Sequence, residues 1–185
     1  ARALTLELYR SREGASGETH LLLISAEADL TRLQVVAARP AQPETPFQVQ
    51  ALLRRELDGA RLARIEASAA DRFVRIAFER KGAERTVVAE LTGRHGNIFL
   101  LDSDGVILAA VGPNLSRRRK LVAGEVYEPP AARGAADSAA RRFEPRADAR
   151  FPLSAAIDAI YTAREEARRV EEARSELRTP IKIAV

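Results

Sequence analysis

Five short apolar segments follow one another between residues 61 and 110, and only a few polar residues separate each from the next. The segments span residues 62–67, 72–79, 84–91, 98–102 and 106–110. Two of the connections, Arg80-Lys81-Gly82 and Ser103-Asp104-Gly105, have the composition of hairpin turns, because glycine and aspartate adopt turn conformations at little cost. Strands joined so tightly pair with their chain neighbours, so this region predicts an antiparallel β-sandwich or meander around one core.

The residues before this series predict three more strands. Leucine alternates with polar residues over residues 4–9, which is the pattern of a strand with one buried face. Residues 14–17 contain two glycines and predict a hairpin turn into a second strand at residues 20–24. A third strand is predicted at residues 33–37, before three closely spaced prolines.

One helix is predicted between these strands and the series of five. Thr45-Pro46 supplies an N-cap and a proline at the first helical position, and Gly59 follows the last apolar residue, so the helix spans residues 47–58. Arg54-Arg55 near its end can contact phosphate groups. Together with the strands, this helix predicts an α+β fold in which one helix packs on antiparallel sheets.

The end of the chain predicts a long helix after an irregular connection. Residues 131–142 consist mostly of Ala, Arg, Gly, Asp and Ser, a composition typical of linkers. In the helix that follows, Ala163, Val170 and Leu177 lie seven residues apart, which indicates the opening of a coiled coil. The predicted organisation is a β-rich domain at residues 1–130, a linker or junction at 131–150, the start of a coiled-coil helix at 151–178 and a tail or joined segment at 179–185.

The composition fits a folded chain with a polyanionic partner. Hydrophobic residues make up 46% of the chain and charged residues 30%, a balance that supports a packed core. All but three of the 30 basic residues are arginine, and the isoelectric point is near 9.9. A GC-rich genome explains much of this bias, but arginine binds phosphate through two parallel hydrogen bonds whatever its origin.

The composition also excludes several classes of function. The chain contains no cysteine, which rules out disulfides, thiolate metal sites and cysteine nucleophiles. It has neither an apolar run long enough to span a bilayer nor a secretion leader, which predicts a cytoplasmic protein without a membrane partner. His20 and His95 are too far apart to indicate a metal site, and no Ser-His-Asp set or phosphate-binding glycine loop occurs. We therefore expect no cofactor, no metal and no catalytic residue.

The loop Thr92-Gly93-Arg94-His95-Gly96-Asn97 lies between two strongly apolar strands and concentrates recognition chemistry on a rigid base. One interpretation is a hairpin in which the glycines supply positive φ, Asn97 caps the turn and His95 packs over the sheet edge. The other is that Arg94, His95 and Asn97 contact an RNA backbone or brace a neighbouring strand. The two interpretations are compatible.

Two further groups of charged residues have alternative explanations. Asp71-Arg72, at the entrance to a strand, is either a surface ion pair or a site where Arg72 donates to a phosphate or a guanine edge while Asp71 orients it. Four consecutive cations, Arg117, Arg118, Arg119 and Lys120, form either a solvated loop or a surface that follows phosphates.

Four segments occur in a fixed order: residues 52–61 around Arg54-Arg55, the Asp71-Arg72 pair, residues 90–98 around Gly93-Arg94-His95, and residues 121–130, which end in a double proline. Together they resemble the N-terminal NFACT domain of the bacterial RqcH family, which also carries the label fibronectin-binding protein A. Residues 151–174 resemble that family's entry into its coiled coil. The resemblance therefore covers most of the chain.

The resemblance implies a factor of ribosome-associated quality control. Such factors bind the large ribosomal subunit that carries an obstructed peptidyl-tRNA, recruit alanyl-tRNA and support untemplated alanine additions to the stalled peptide. In the family the Asp-Arg pair, here Asp71-Arg72, is tied to tRNA engagement, and the Gly-Arg-His loop is the second signature. The family fold is similar to the N-terminal domain of formamidopyrimidine-DNA glycosylases.

Two other functions stay open. A glycosylase needs an N-terminal proline amine and a following glutamate, whereas the chain opens with Ala1-Arg2, so we expect no intrinsic catalysis. The fibronectin-binding label raises a surface adhesin, which we rank below both alternatives because a secretion signal and disulfides are missing. Compared with the family, we expect a fragment without the leading helix, the helix-hairpin-helix units, the coiled-coil body and the C-terminal domain.

Overall fold

A computed structural model describes residues 2–40, 48–68, 72–116, 118–131 and 143–178. The chain divides into two compact units, Ala1–Ala140 and Arg141–Val185. The first unit contains both sheets and the first helix, and the second contains the long C-terminal helix. The finer boundaries at residues 130, 150 and 178 stay predictions.

The first sheet has three antiparallel strands in chain order, β1 (Ala3–Arg12), β2 (Ala15–Ser25) and β3 (Arg32–Val36). A tight turn joins β1 to β2, and Gly14 in that turn has a φ of 73°, which favours glycine. The predicted hairpin and third strand are confirmed. β1 and β2 extend further than predicted, because their polar ends pair with each other outside the core.

The second sheet is a five-stranded meander. Its strands are β4 (Arg61–Ser68), β5 (Phe73–Arg80), β6 (Ala83–Glu90), β7 (Asn97–Leu101) and β8 (Ile107–Ala110). At the β5–β6 turn both Lys81 and Gly82 have positive φ, at 51° and 79°, which gives the turn the twist that antiparallel strands require. The predicted antiparallel arrangement is confirmed.

The main core lies against one face of the second sheet. Ile76, Val87 and Ile98 are fully buried there and cluster with Ile24 of the first sheet. Helix α1 (Gln48–Leu57) adds Leu53 to the same cluster. Gly59, with a φ of 73°, follows the helix as predicted. The predicted N-cap and the start of the helix at residues 45–47 lie outside the described residues.

A smaller core covers the opposite face of the same sheet. Val88, Phe99 and Ile107 pack there against Leu121 and Tyr127, which come from the irregular segment after β8. Successive side chains of a strand point to opposite faces of the sheet, and both faces of β6 and β7 are covered. Their sequences are therefore nearly continuous apolar runs. This second cluster brings the segment after β8 back to the centre of the sheet.

The second unit contains helix α2 (Pro152–Arg178), and the long C-terminal helix predicted there is confirmed. Val170 is 58% exposed on this helix, and the side chain of Leu177 lies outside the described residues. The coiled coil therefore stays a prediction. Neither of the two described helices has the length and apolar composition needed to cross a lipid bilayer.

Candidate nucleic-acid interface

Two segments that the sequence singles out, Asp71-Arg72 and the loop at residues 92–97, adjoin one end of the five-stranded sheet through the described residues Arg72 and 92–97. In the strand register, Phe73 at the start of β5 pairs with Glu90 at the end of β6, and Glu90 pairs with Asn97 at the start of β7. One residue beyond, the Leu91 amide donates to the Arg72 carbonyl over 2.8 Å. Arg72 and the loop at residues 92–97 therefore leave the sheet side by side.

The loop contains a single 3-10 turn, Gly93–His95, which the Gly96 amide closes by donating to the Gly93 carbonyl over 2.8 Å. Gly93 has a φ of 73°, as expected for a glycine at a turn. Gly96 has a φ of −61°, so the expectation that both glycines supply positive φ is wrong for this one. Glycine is needed there because a Cβ atom would lie 2.7 Å from the Glu90 carbonyl oxygen.

Asn97 is a buried structural clamp. The residue is only 4% exposed. Its Oδ1 accepts hydrogen bonds from the amides of Gly112 at 2.7 Å and Ile98 at 2.9 Å. Its Nδ2 donates to the carbonyls of Gly112 at 2.9 Å and Pro113 at 3.3 Å. The amide thus joins the loop to the segment after β8, and burial keeps it away from any RNA.

Arg2 secures the other side of the loop, a role that the sequence did not indicate. Its Nη1 donates to the carbonyl of Arg94 at 2.8 Å and to the carbonyl of Gly96 at 2.7 Å. The Arg2 carbonyl in turn accepts from the Ala26 amide over 2.8 Å, which ties the first sheet to the loop. A charged donor on two loop carbonyls fixes the backbone more firmly than neutral bonds would.

The side chains of Arg72, Arg94 and His95 are left exposed around this fixed backbone. Among the described residues, no hydrogen bond or ion pair engages any of these three side chains. Arg72 also has a φ of 48°, an uncommon conformation for a residue with a side chain. Asp71 lies outside the described residues, so its relation to Arg72 is left to experiment. Within the described part of the chain, the site therefore presents two guanidinium groups and one imidazole that no polar partner engages, on a backbone held by hydrogen bonds.

The basic run after residue 116 contributes differently from what its sequence predicts. Arg119 is turned inward, where Nη1 and Nη2 donate to the two carboxylate oxygens of Glu90 at 2.7 and 2.8 Å. These hydrogen bonds raise the pKa of Arg119. The Arg119 guanidinium therefore neutralises a buried carboxylate within the protein. Glu90 is only 1% exposed, and without Arg119 its charge would be buried and unpaired.

The rest of that run is divided. Lys120 forms an exposed ion pair with Glu125, whereas Arg118 is exposed on the same loop. Arg117 lies outside the described residues. Of the described cations in this run, only Arg118 therefore has a side chain that no hydrogen bond or ion pair engages.

Tyr127 completes the group around Glu90. Its hydroxyl donates to Glu90 Oε1 over 2.8 Å, and its ring packs on Phe99 with the ring centroids 5.5 Å apart. Burial raises the pKa of the Tyr127 hydroxyl, and the negative charge of Glu90 raises it further. Sequence reasoning missed Glu90, although a glutamate that ends an otherwise apolar run in a buried strand is a signal for a paired charge.

Arg54 and Arg55 are not brought to this site. Arg55 pairs with Glu56, and the Arg55 carbonyl accepts from the guanidinium of Arg80, the last residue of β5. Since Phe73 begins β5 at the loop end, the eight residues of that strand separate the two ends by about 23 Å. These two arginines belong to the opposite end of the sheet.

No metal centre accompanies these groups: within the described ranges, no three His, Asp or Glu side chains lie close enough to hold an ion. The fold and this site define an α+β domain with two antiparallel sheets and a basic loop at one sheet end. Residues 4–151 match the family model described as NFACT N-terminal and middle domains. The chain belongs to this family.

Two relatives illustrate the match. The Rqc2 homolog RqcH of Bacillus subtilis (strain 168) is 30% identical over 127 residues, which make up 64% of this chain and 22% of the relative. The Rqc2 homolog RqcH of Streptococcus pneumoniae serotype 2 (strain D39 / NCTC 7466) is 31% identical over 139 residues, or 69% of this chain and 24% of the relative. The chain thus spans less than a quarter of the length of either relative.

Solved structures show the same fold. The N-terminal domain of the fibronectin-binding protein PavA from Streptococcus pneumoniae superposes with a TM-score of 0.62 at 30% identity, covering 71% of this chain and 51% of that one. The N-terminal part of the fibronectin/fibrinogen-binding protein from Streptococcus suis gives a TM-score of 0.61 at 26% identity with the same coverage. The similarity to formamidopyrimidine-DNA glycosylases stays a prediction.

Proposed function

We propose that this chain is an RNA-binding module that contacts tRNA in ribosome-associated quality control. The observation that carries the proposal is the convergence of Arg72, Arg94 and His95 at one sheet end, exposed and without an ion pair among the described residues. Guanidinium groups bind phosphates and stack on bases, and an imidazole can do both when an RNA loop presents unpaired nucleotides.

The rigid backbone around these side chains favours binding. Arg2 and Asn97 hold the loop from two sides through hydrogen bonds of 2.7 to 2.9 Å, apart from one of 3.3 Å. Since the backbone is already ordered, an RNA ligand orders only the three side chains. Asp71, the neighbour of Arg72, is proposed to orient its guanidinium or to accept from a base.

The relatives named Rqc2 homolog RqcH and the NFACT family match support the biological setting. In this setting the chain acts on cytoplasmic ribosomes, with alanyl-tRNA and the obstructed large subunit that carries peptidyl-tRNA as partners. It contributes to the C-terminal alanine tailing of stalled chains by positioning tRNA. The chain itself has no catalytic residue, and the ribosome forms the peptide bonds.

The test is binding of fluorescently labelled alanine tRNA across a salt series. We expect Arg72→Ala and Arg94→Ala each to weaken binding about tenfold and to reduce the salt slope by about one phosphate contact. The control is Arg61→Ala, which removes an equal charge from an arginine 71% exposed at the opposite end of the sheet. Equal losses in all three variants would mean that net charge, and not this site, binds the RNA.

The names of the solved neighbours support one competing function, fibronectin binding. Immobilised fibronectin in the same salt series separates the two. We expect no saturable binding to fibronectin, whereas saturable binding that Arg72→Ala and Arg94→Ala leave intact would favour the adhesin. A glycosylase activity would instead appear as a trapped covalent product on DNA with an abasic site, which we do not expect.

A further inference from the structure

Glu90 carries a buried carboxylate that accepts hydrogen bonds from residues far along the chain. It is 1% exposed, and its two oxygens accept two bonds from Arg119 and one from Tyr127, all between 2.7 and 2.8 Å. Both partners come from the segment after β8, at 29 and 37 residues further along the chain. The side chain of Glu90 therefore anchors that segment to the sheet.

The backbone of Glu90 lies between the two parts of the proposed RNA site. It pairs with Phe73, the residue after Arg72, on one side and with Asn97, the end of the loop, on the other. Its carbonyl oxygen lies so close to Gly96 that a Cβ atom there would come within 2.7 Å. A shift of Glu90 would therefore move both Arg72 and the loop.

The partners of Glu90 are themselves held in place. The Arg75 guanidinium lies 5.6 Å from the centre of the Tyr127 ring, which also packs on Phe99. Arg119 donates a further bond of 2.9 Å to the Glu128 carbonyl. Replacing a buried ion pair by apolar residues of similar volume is often neutral or stabilising, so stability alone does not explain a charged group at this place.

We propose that Glu90 is a positioning residue for RNA recognition: its bonds to Arg119 and Tyr127 fix the sheet end from which Arg72, Arg94 and His95 contact RNA. This inference rests on the proposed function. It gives the three arginines near this sheet end two different roles, because Arg119 acts through Glu90 while Arg72 and Arg94 touch the ligand.

The test compares Glu90→Gln with Glu56→Gln in the 185-residue chain. Glu56 and Arg85 form a second ion pair of low exposure, at 15% and 23% of the side chains and 2.8 Å, near the far end of the sheet. Both substitutions remove one carboxylate charge from such a pair. At a temperature where both variants are folded, we expect Glu90→Gln to weaken binding of labelled alanine tRNA about tenfold and Glu56→Gln to leave it within about twofold.

Hydrogen exchange provides a readout that does not need RNA. We expect the amides of residues 93–97 to exchange faster in Glu90→Gln and at the wild-type rate in Glu56→Gln. If Glu90→Gln fails to fold, Tyr127→Phe takes its place, since it removes one bond and keeps the ring, with an expected loss of about threefold in tRNA affinity.

The outcomes are distinct. Wild-type affinity and wild-type exchange in folded Glu90→Gln, or in Tyr127→Phe where that variant is used, would overturn the inference while leaving the proposed function to the Arg72 and Arg94 variants. If the wild-type chain does not bind tRNA at all, the proposed function fails. Exchange at residues 93–97 then decides whether Glu90 positions the loop.

Discussion

Asn97→Ala removes the clamp between the loop and the segment after β8. The wild-type amide makes four hydrogen bonds, three of them between 2.7 and 2.9 Å and one of 3.3 Å. Alanine makes none of these bonds. The amide and carbonyl of half-buried Gly112 then lose the partner that Asn97, itself only 4% exposed, supplied.

The expected cost follows from the three short bonds. Each contributes about 1 kcal/mol net, so their loss lowers the free energy of unfolding by about 3 kcal/mol. The longer bond to the Pro113 carbonyl adds little. For a domain of this size, a loss of about 3 kcal/mol lowers the melting temperature by about 10 °C.

Urea unfolding followed by circular dichroism measures this loss, and Asn114→Ala is the matched control. Asn114 is exposed, and its side chain makes two bonds, at 2.9 and 3.2 Å, within its own loop. We expect the control to cost less than about 1 kcal/mol. Equal losses in the free energy of unfolding for the two variants would refute this reasoning. It holds that the bonds of Asn97 matter more because the residue is buried and joins two distant segments of the chain.

Three further outcomes follow from the contacts. Gly96→Ala places a Cβ atom 2.7 Å from a backbone oxygen that cannot move aside, so we expect a loss of about 2 kcal/mol in urea unfolding. The hydrogen bond from Arg85 lowers the pKa of Glu56, so the pair stabilises the fold above the ordinary pKa of about 4.3 and loses that effect as the pH falls. Glu56→Gln should therefore make the free energy of unfolding depend less on pH in the acid range. Burial raises the pKa of Tyr127, so above about pH 10 the unfolded state gains by ionising it; Tyr127→Phe should weaken the alkaline loss of stability.

The elements of the fold could be predicted because their signals are local. Alternating leucines, turn glycines and the glycine after the first helix all act within a few residues, so the described strands and helices lie close to their predicted positions. The strand order followed from the short connections, because neighbours joined by tight turns pair with each other.

The structure of the site depends on contacts that sequence spacing does not encode. Arg2 reaches the Arg94 carbonyl across 92 residues, and Arg119 reaches Glu90 across 29. A run of four cations gives no sign that Arg119 turns inward while Arg118 stays exposed. Gly93 and Gly96 look alike in the sequence, yet one is needed for its φ and the other for the space beside a carbonyl.

The most direct measurement of tRNA recognition is a photochemical crosslink between labelled alanine tRNA and the wild-type chain, with the crosslinked peptides mapped by mass spectrometry. We predict crosslinks in the peptides that contain Arg72 and residues 92–97, because these side chains would lie against bases and phosphates. Crosslinks confined to helix α2 or to Arg54 and Arg55 at the opposite end of the sheet would contradict this assignment of the RNA site.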